Sequence, residues 1–123
     1  MTLVLTISTT VYAATTSGSF RSNDNQTTAN YFSNVNWNLI SADVAGGFTE
    51  IDADSADFSR TAFLSILSYK NNSLGNSYSG NDGYYTIHEL KQSSATKFIF
   101  YHQIMASDKS TPVATRQSKT YTN

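Results

Sequence analysis

Residues 31–41 decide the fold, and they read YFSNVNWNLIS. Apolar side chains alternate with asparagines in this stretch, and the two sets are Tyr31, Val35, Trp37 and Leu39 against Asn34, Asn36 and Asn38. Successive side chains of a β-strand point to opposite faces, so this alternation predicts a strand in a sheet with one buried face. Trp37 is then expected to anchor the core, because large aromatic side chains contribute most to core burial.

The composition extends this prediction to the whole chain. Hydrophobic residues make up 39% of the 123 residues and charged residues only 14%, with eight Tyr and seven Phe. β-branched and aromatic side chains pack well on pleated surfaces, and disordered chains show the opposite balance. We therefore expect a single all-β domain, an antiparallel β-sandwich or small barrel of about six to eight strands.

The sequence between residues 45 and 83 predicts a turn, two strands and a loop. Residues 45–47 (AGG) predict a turn, and residues 48–51 a short strand. Residues 58–70 (FSRTAFLSILSYK) fit either a helix or a strand, and their Thr, Ile, Tyr and Phe content favours a strand. Residues 71–83 are rich in Gly, Asn and Ser, which predicts a loop.

Two further segments predict a hairpin, and a third predicts the last strand. Residues 84–91 and 96–107 read as strands on either side of a short polar turn. Residues 113–121 predict a polar final strand, in which Arg116 and Lys119 are suited to guard the edge of a sheet.

The N-terminus supports two alternatives. Residues 2–8 (TLVLTIS) alternate as a strand does, but they also lie before Val11 and Ala13, which fit the small-residue positions of a signal cleavage site. We favour removal, which divides the chain into residues 1–13, a truncated signal peptide or an N-terminal strand, and residues 14–123. A cysteine-free exported domain is more typical of bacteria, so we expect a secreted, extracellular bacterial protein.

Charge and cysteine content exclude several classes of function. The formal net charge is −1 and the eight Lys and Arg are scattered, which argues against a nucleic-acid partner. The absence of cysteine excludes disulfides, thiolate zinc sites and cysteine nucleophiles. The N-terminal apolar stretch is shorter than the ~20 residues that a transmembrane helix needs, so no membrane span is expected.

An acidic run at residues 50–57 (EIDADSAD) is the one candidate metal site. Asp52 and Asp54 fall on the same side of an extended chain, and with Asp57 they would offer the oxygen ligands that calcium prefers. The run does not match an EF-hand loop, and a solvated loop is the favoured interpretation. We expect no cofactor, with calcium as the alternative.

The two histidines are the candidates for catalysis. His102 shares a strand face with apolar residues, which favours a hydrogen-bonded structural histidine, and His88 has no built-in partner. No G-x-S-x-G motif occurs, so no serine stands out as a nucleophile. We expect a non-enzymatic protein, with a small secreted hydrolase as a further alternative.

The best candidate binding surface combines tyrosines with an asparagine-rich segment. Its members are Tyr69, Tyr78, Tyr84, Tyr85, Asn76 and Asn81. Tyr and Asn together supply stacking area and adaptable hydrogen bonds, as binding loops often do. The alternative is an ordinary solvated loop.

In overall format the chain resembles the small secreted β-sandwich bacteriocins of the lactococcin 972 type. The shared features are the apparent signal, the small mature chain, the lack of cysteine and the strands rich in Tyr, Ser, Thr and Asn. The resemblance covers format only, and no functional residue is carried over. We expect an exported protein that binds a cell surface, a glycan or a competitor's envelope. The alternative is a self-associating subunit of a surface assembly, in which residues 2–8 complete a neighbour's sheet.

Overall fold

The computed structural model describes residues 10–55 and 59–123. These residues form eight strands and one short 3-10 helix at Ala53–Ser55. The strands are β1 (Thr10–Arg21), β2 (Thr28–Asn38), β3 (Asp43–Ile51), β4 (Arg60–Lys70), β5 (Ser73–Gly80), β6 (Tyr85–Gln92), β7 (Lys97–Ala106) and β8 (Gln117–Thr122).

The strands form two antiparallel sheets of four. Sheet one has the order β1-β2-β3-β6, and sheet two has the order β5-β4-β7-β8. Their inner faces pack on each other, which makes the fold a β-sandwich and confirms the predicted class. The strand expected at residues 58–70 is confirmed over Arg60–Lys70 as β4, one of the two inner strands of sheet two.

The core lies between the sheets, where the alternation of β2 places it. Trp37 is 1% exposed and packs against Phe98, with 5.3 Å between the ring centroids. Leu64, Ile66 and Phe100 are fully buried around this pair. Burying each such side chain contributes roughly 1.5–3 kcal/mol, so the core dominates the stability of this disulfide-free domain. The prediction that Trp37 anchors the core is confirmed.

Two local predictions around β2 and β3 are wrong. Leu39 was expected on the buried face, but β2 ends at Asn38 and Leu39 is 68% exposed. The turn predicted at residues 45–47 lies inside β3, in register with β2 and β6. Gly47 belongs in a strand because the backbone of β2 approaches it closely: a Cβ there would collide with the carbonyl oxygen of Phe32.

The prediction of a loop at residues 71–83 is also wrong over most of that range. Residues 71–72 form a tight turn in which Asn71 adopts a φ of 57°, a conformation that asparagine tolerates well. The chain then returns as β5, paired with β4. Small polar residues serve here because β5 is an edge strand whose outer side faces solvent.

The strands predicted at residues 84–91 and 96–107 exist as β6 and β7, but the predicted hairpin does not. β6 pairs with β3 in sheet one, whereas β7 pairs with β4 and β8 in sheet two. The short turn between them therefore crosses from one sheet to the other. The buried carboxylate of Asp43 fixes this crossing, because it accepts hydrogen bonds from the backbone N–H groups of Ala95 at 2.9 Å and Asn38 at 2.7 Å.

The first and last of the described strands, β1 and β8, are outer strands of their sheets. β1 begins at Thr10, so the predicted boundary after residue 13 falls within this strand, and residues 2–8 lie outside the described residues. Removal of residues 1–13 stays a prediction. β8 is the outermost described strand of sheet two and pairs with β7. Its Lys119 turns toward the inside of the sandwich, where its Nζ lies 5.3 Å from the centre of the Tyr31 ring. No helix in the described parts of the chain is long and apolar enough to cross a membrane.

Candidate functional site

The four tyrosines of the predicted binding surface do not lie together. Tyr85 is on the outer face of sheet one, and Tyr84 is exposed in the turn just before it. Tyr69 faces outward from sheet two, under the Lys97 ammonium at 4.6 Å. Tyr78 stacks on His88 with 3.7 Å between ring centroids, and its partial burial raises the pKa of its phenol.

The two predicted asparagines use their amides within the fold. Asn76 Nδ2 donates to the carbonyl oxygen of Lys91 at 2.8 Å, and Asn81 Nδ2 donates to Thr61 Oγ1 at 2.9 Å. The first contact joins β5 of sheet two to β6 of sheet one, and the second joins the segment after β5 to β4. Of the six predicted residues, Tyr85 is the one that contributes to the surface described below.

The structure describes only part of the acidic run at residues 50–57. Asp52 Oδ1 accepts a hydrogen bond from the backbone N–H of Asp54 at 2.9 Å, so the carboxylate caps the turn at the start of the 3-10 helix. Asp57 lies outside the described residues. No group of three or more potential metal ligands occurs among the residues that the structure describes. Calcium binding stays a prediction.

His102 is sealed inside the sandwich. Its Nε2 lies 2.8 Å from Ser33 Oγ and its Nδ1 lies 2.7 Å from Thr49 Oγ1, so the ring links β7 of sheet two to two strands of sheet one. Burial lowers the pKa of His102 to about 4, and the positive charge of Lys119 adds to the shift. His102 and its two partners are completely buried, so no substrate reaches them. The interpretation of His102 as a hydrogen-bonded structural histidine is confirmed.

A row of apolar side chains crosses the outer face of sheet one. Phe32 of β2 pairs in register with Phe48 of β3, and Phe48 with Ile87 of β6. The Phe32 and Phe48 rings stack at 5.7 Å, and Tyr85 continues the contact at 5.5 Å from Phe48. Ile87 is 55% exposed and Tyr85 43%. We call these four side chains the aromatic shelf.

A glycine opens a depression beside the aromatic shelf. Gly46 lies two residues from Phe48 along β3, between Asn34 on one neighbouring strand and Glu89 on the other. Because Gly46 has no side chain, the surface falls away there into an open depression of about 610 Å³, bounded by the shelf and Glu89.

Small polar side chains are frequent on the β1 and β2 part of this face. Asn30, Asn34 and Asn36 point outward from β2, and Thr15, Ser17 and Ser19 point outward from β1. Thr15 Oγ1 donates to Asn34 Oδ1 at 2.8 Å. Amides and hydroxyls both donate and accept hydrogen bonds, so this surface can match the hydroxyl groups of a ligand in either orientation.

Sequence reasoning missed the aromatic shelf, although a signal was present. In the stretch 31–41, Phe32 is separated from Asn34 and Asn36 by even numbers of residues, so it lies on the same side of the strand. One large aromatic side chain is therefore placed on the polar face. Phe48 and Ile87 are recognisable as its neighbours only once the register between the three strands is known.

The arrangement offers binding chemistry. The aromatic shelf is apolar and open to solvent, and the β1 and β2 side chains beside it are rich in neutral hydrogen-bonding groups. No family model, no curated protein and no solved structure matches this chain. The functional argument therefore depends on the geometry of this face.

Proposed function

We propose that this protein is an exported, non-enzymatic glycan-binding protein that acts at a cell surface, and that the aromatic shelf is its binding site. The observation that carries the proposal is the contiguous contact of the Phe32, Phe48 and Tyr85 rings on an outer sheet face, beside the depression at Gly46. Contiguous exposed apolar surface on a small soluble domain usually marks an interaction site.

Sugar chemistry fits this surface better than a purely apolar ligand does. A pyranose ring has an apolar face of C–H groups, which stacks on an aromatic ring, and a rim of hydroxyls that need hydrogen-bonding partners. The shelf supplies the stacking surface. The outward side chains of β1 and β2 supply the partners, with Asn34 placed directly across from Gly46.

Export is the second part of the proposal. Its support is the N-terminal sequence, in which an apolar stretch precedes small residues at Val11 and Ala13, together with the lack of cysteine. A glycan-binding protein would act by attachment, and cell envelopes present glycans in quantity.

Titration of the purified protein with soluble oligosaccharides tests the site. We expect Phe48→Ala to weaken binding about tenfold, because removal of one stacking ring costs on the order of 1–1.5 kcal/mol. Tyr69→Ala is the matched control, since it removes a partly exposed aromatic ring from the opposite sheet face. Equal binding by both variants and the unchanged protein would exclude the aromatic shelf as the site.

A structural role in a surface assembly is the alternative, and one observation favours it. β1 is an edge strand with a single neighbour, and its first residue follows closely on residues 2–8, whose alternation suits strand addition. In that case the full chain sediments as an oligomer, and Leu5→Asp converts it to a monomer. A monomeric full chain contradicts this alternative.

A further inference from the structure

Two carboxylates flank the aromatic shelf. Glu50 pairs in register with Tyr85 at one end of the shelf, and Glu89 pairs with Gly46 at the other. Glu89 also borders the depression. Within the described part of the chain neither carboxylate takes part in a hydrogen bond or an ion pair. Both are therefore available to a ligand that lies on the shelf.

The cations on the same face stand farther from the shelf. Arg21 lies at the end of β1, opposite Thr28, and Lys91 lies opposite Val44, one step beyond Glu89 along the face of β6. The shelf itself is therefore bordered by negative charge, with positive charge only at the two far ends of the face. An acidic sugar placed on the shelf would meet like charge, whereas a cationic sugar would meet opposite charge.

We infer that the aromatic shelf selects glycans whose sugars carry free amines, in which protonated amino groups pair with Glu50 and Glu89 while the sugar rings stack on Phe48 and Tyr85. This inference depends on the proposed glycan-binding function and names its ligand class. An ammonium group is also attracted to the faces of neighbouring aromatic rings, which acts in the same direction as the carboxylates.

The spacing of the two carboxylates indicates an oligomeric ligand. Tyr85 faces Glu50 across the ladder, and Glu89 lies four residues farther along β6. At about 3.3 Å per residue and about 4.8 Å between strands, the two Glu Cα atoms are roughly 14 Å apart. One sugar ring cannot reach both, so a chain of amino sugars along the strands gains a second ion pair that a monosaccharide does not.

Calorimetry with three oligomers of equal length tests the selectivity: β-linked glucosamine, its N-acetylated form and a galacturonate. We expect the glucosamine oligomer to bind about tenfold more tightly than the N-acetylated one, and the galacturonate to bind most weakly. The preference should shrink in high salt, because exposed ion pairs are screened.

Substitution of the two carboxylates measures their contribution to the affinity. We expect Glu50→Gln and Glu89→Gln each to lower affinity for the glucosamine oligomer about threefold. The double variant should lower it about tenfold, because the free-energy effects of substitutions at distant sites are additive. Affinity for the N-acetylated oligomer should not change. Asp108→Asn is the matched control, since it removes an equal charge from an exposed turn that follows β7 in sheet two.

The outcomes separate this inference from the proposed function. Equal binding of the glucosamine and N-acetylated oligomers, weakened alike by Phe48→Ala, would overturn the amine selectivity and leave glycan binding in place. Polylysine binding as tight as that of the glucosamine oligomer, with no loss in Phe48→Ala, would overturn the inference as mere cation exchange. Binding of none of the three oligomers would contradict both.

Discussion

His102 shows how one side chain couples the two sheets to the pH of the solution. Its ring lies between Ser33 and Thr49 with no exposure to solvent, and burial lowers its pKa to about 4. In the unfolded chain the same imidazole has its ordinary pKa of about 6.5. Between these values the unfolded state binds a proton that the folded state does not, so the free energy of unfolding rises with pH across this window.

We therefore predict that the protein is fully stable above about pH 6.5 and loses roughly 3 kcal/mol of unfolding free energy as the pH falls to about 4. Urea unfolding at steps across this range measures the loss. His102→Gln should be less stable at neutral pH and should lack most of this dependence. The lowered pKa of Asp108, about 2, affects stability only at lower pH. An unfolding free energy that stays constant between pH 6.5 and pH 4 would refute this account.

At the scale of elements, β3 depends on two adjacent glycines with different surroundings. A Cβ on Gly47 points into the sandwich, where it would meet the backbone of Phe32 and the ring of Phe100. A Cβ on Gly46 points outward, and its nearest neighbour would be the carbonyl oxygen of His88 at 3.7 Å, an ordinary contact. The first glycine is needed for packing, and the second leaves the depression open.

This pair gives a matched prediction. We expect Gly47→Ala to lower the unfolding free energy by about 1–3 kcal/mol or more, because a rigid backbone atom must move. Gly46→Ala should change it by less than about 0.5 kcal/mol while weakening oligosaccharide binding, because its methyl group enters the floor of the depression. Thermal unfolding measures the first effect and calorimetric titration the second. Similar stability losses in the two variants would contradict the packing argument.

Element by element, the sequence predicts strands where side chains alternate and fails where they do not. The alternation of β2 and the β-branched and aromatic content of β4 were sufficient. β5 was taken for a loop because its Ser, Gly and Asn residues have low strand propensity, yet its ladder to β4 and its edge position hold it in a sheet. In β5, backbone pairing with β4 outweighs the low strand propensity of the residues, and nothing in the local sequence of β5 indicates that pairing.

At the scale of the whole molecule, the sandwich class was predictable but the pairing of strands was not. Adjacent strands with a short turn indicate a hairpin, whereas β6 and β7 belong to opposite sheets. The same limit hid the candidate site, because Phe32, Phe48 and Ile87 are distant in sequence and meet only through register. A contact that depends on the pairing of three strands has no signature within any one of them.

The crossing between β6 and β7 can be tested through Asp43. Its buried carboxylate accepts backbone hydrogen bonds from Asn38 and Ala95, and so joins the end of β2 to the start of sheet two. We predict that Asp43→Ala lowers the unfolding free energy by about 2–4 kcal/mol, because buried backbone donors lose a charged acceptor. Denaturant unfolding measures this change. Asp54→Ala, at an exposed position, should be nearly neutral, and an equal loss in both variants would contradict this role.

The inward turn of Lys119 has a consequence for solubility. β8 is the last strand of sheet two among the described residues, and an open sheet edge can recruit a strand from another molecule and begin a fibril. A strand added there would extend the sandwich over Lys119 and enclose its ammonium, which now lies beside the Tyr31 ring, half open to water. Enclosing an unpaired charge is costly, so this single lysine disfavours aggregation through β8.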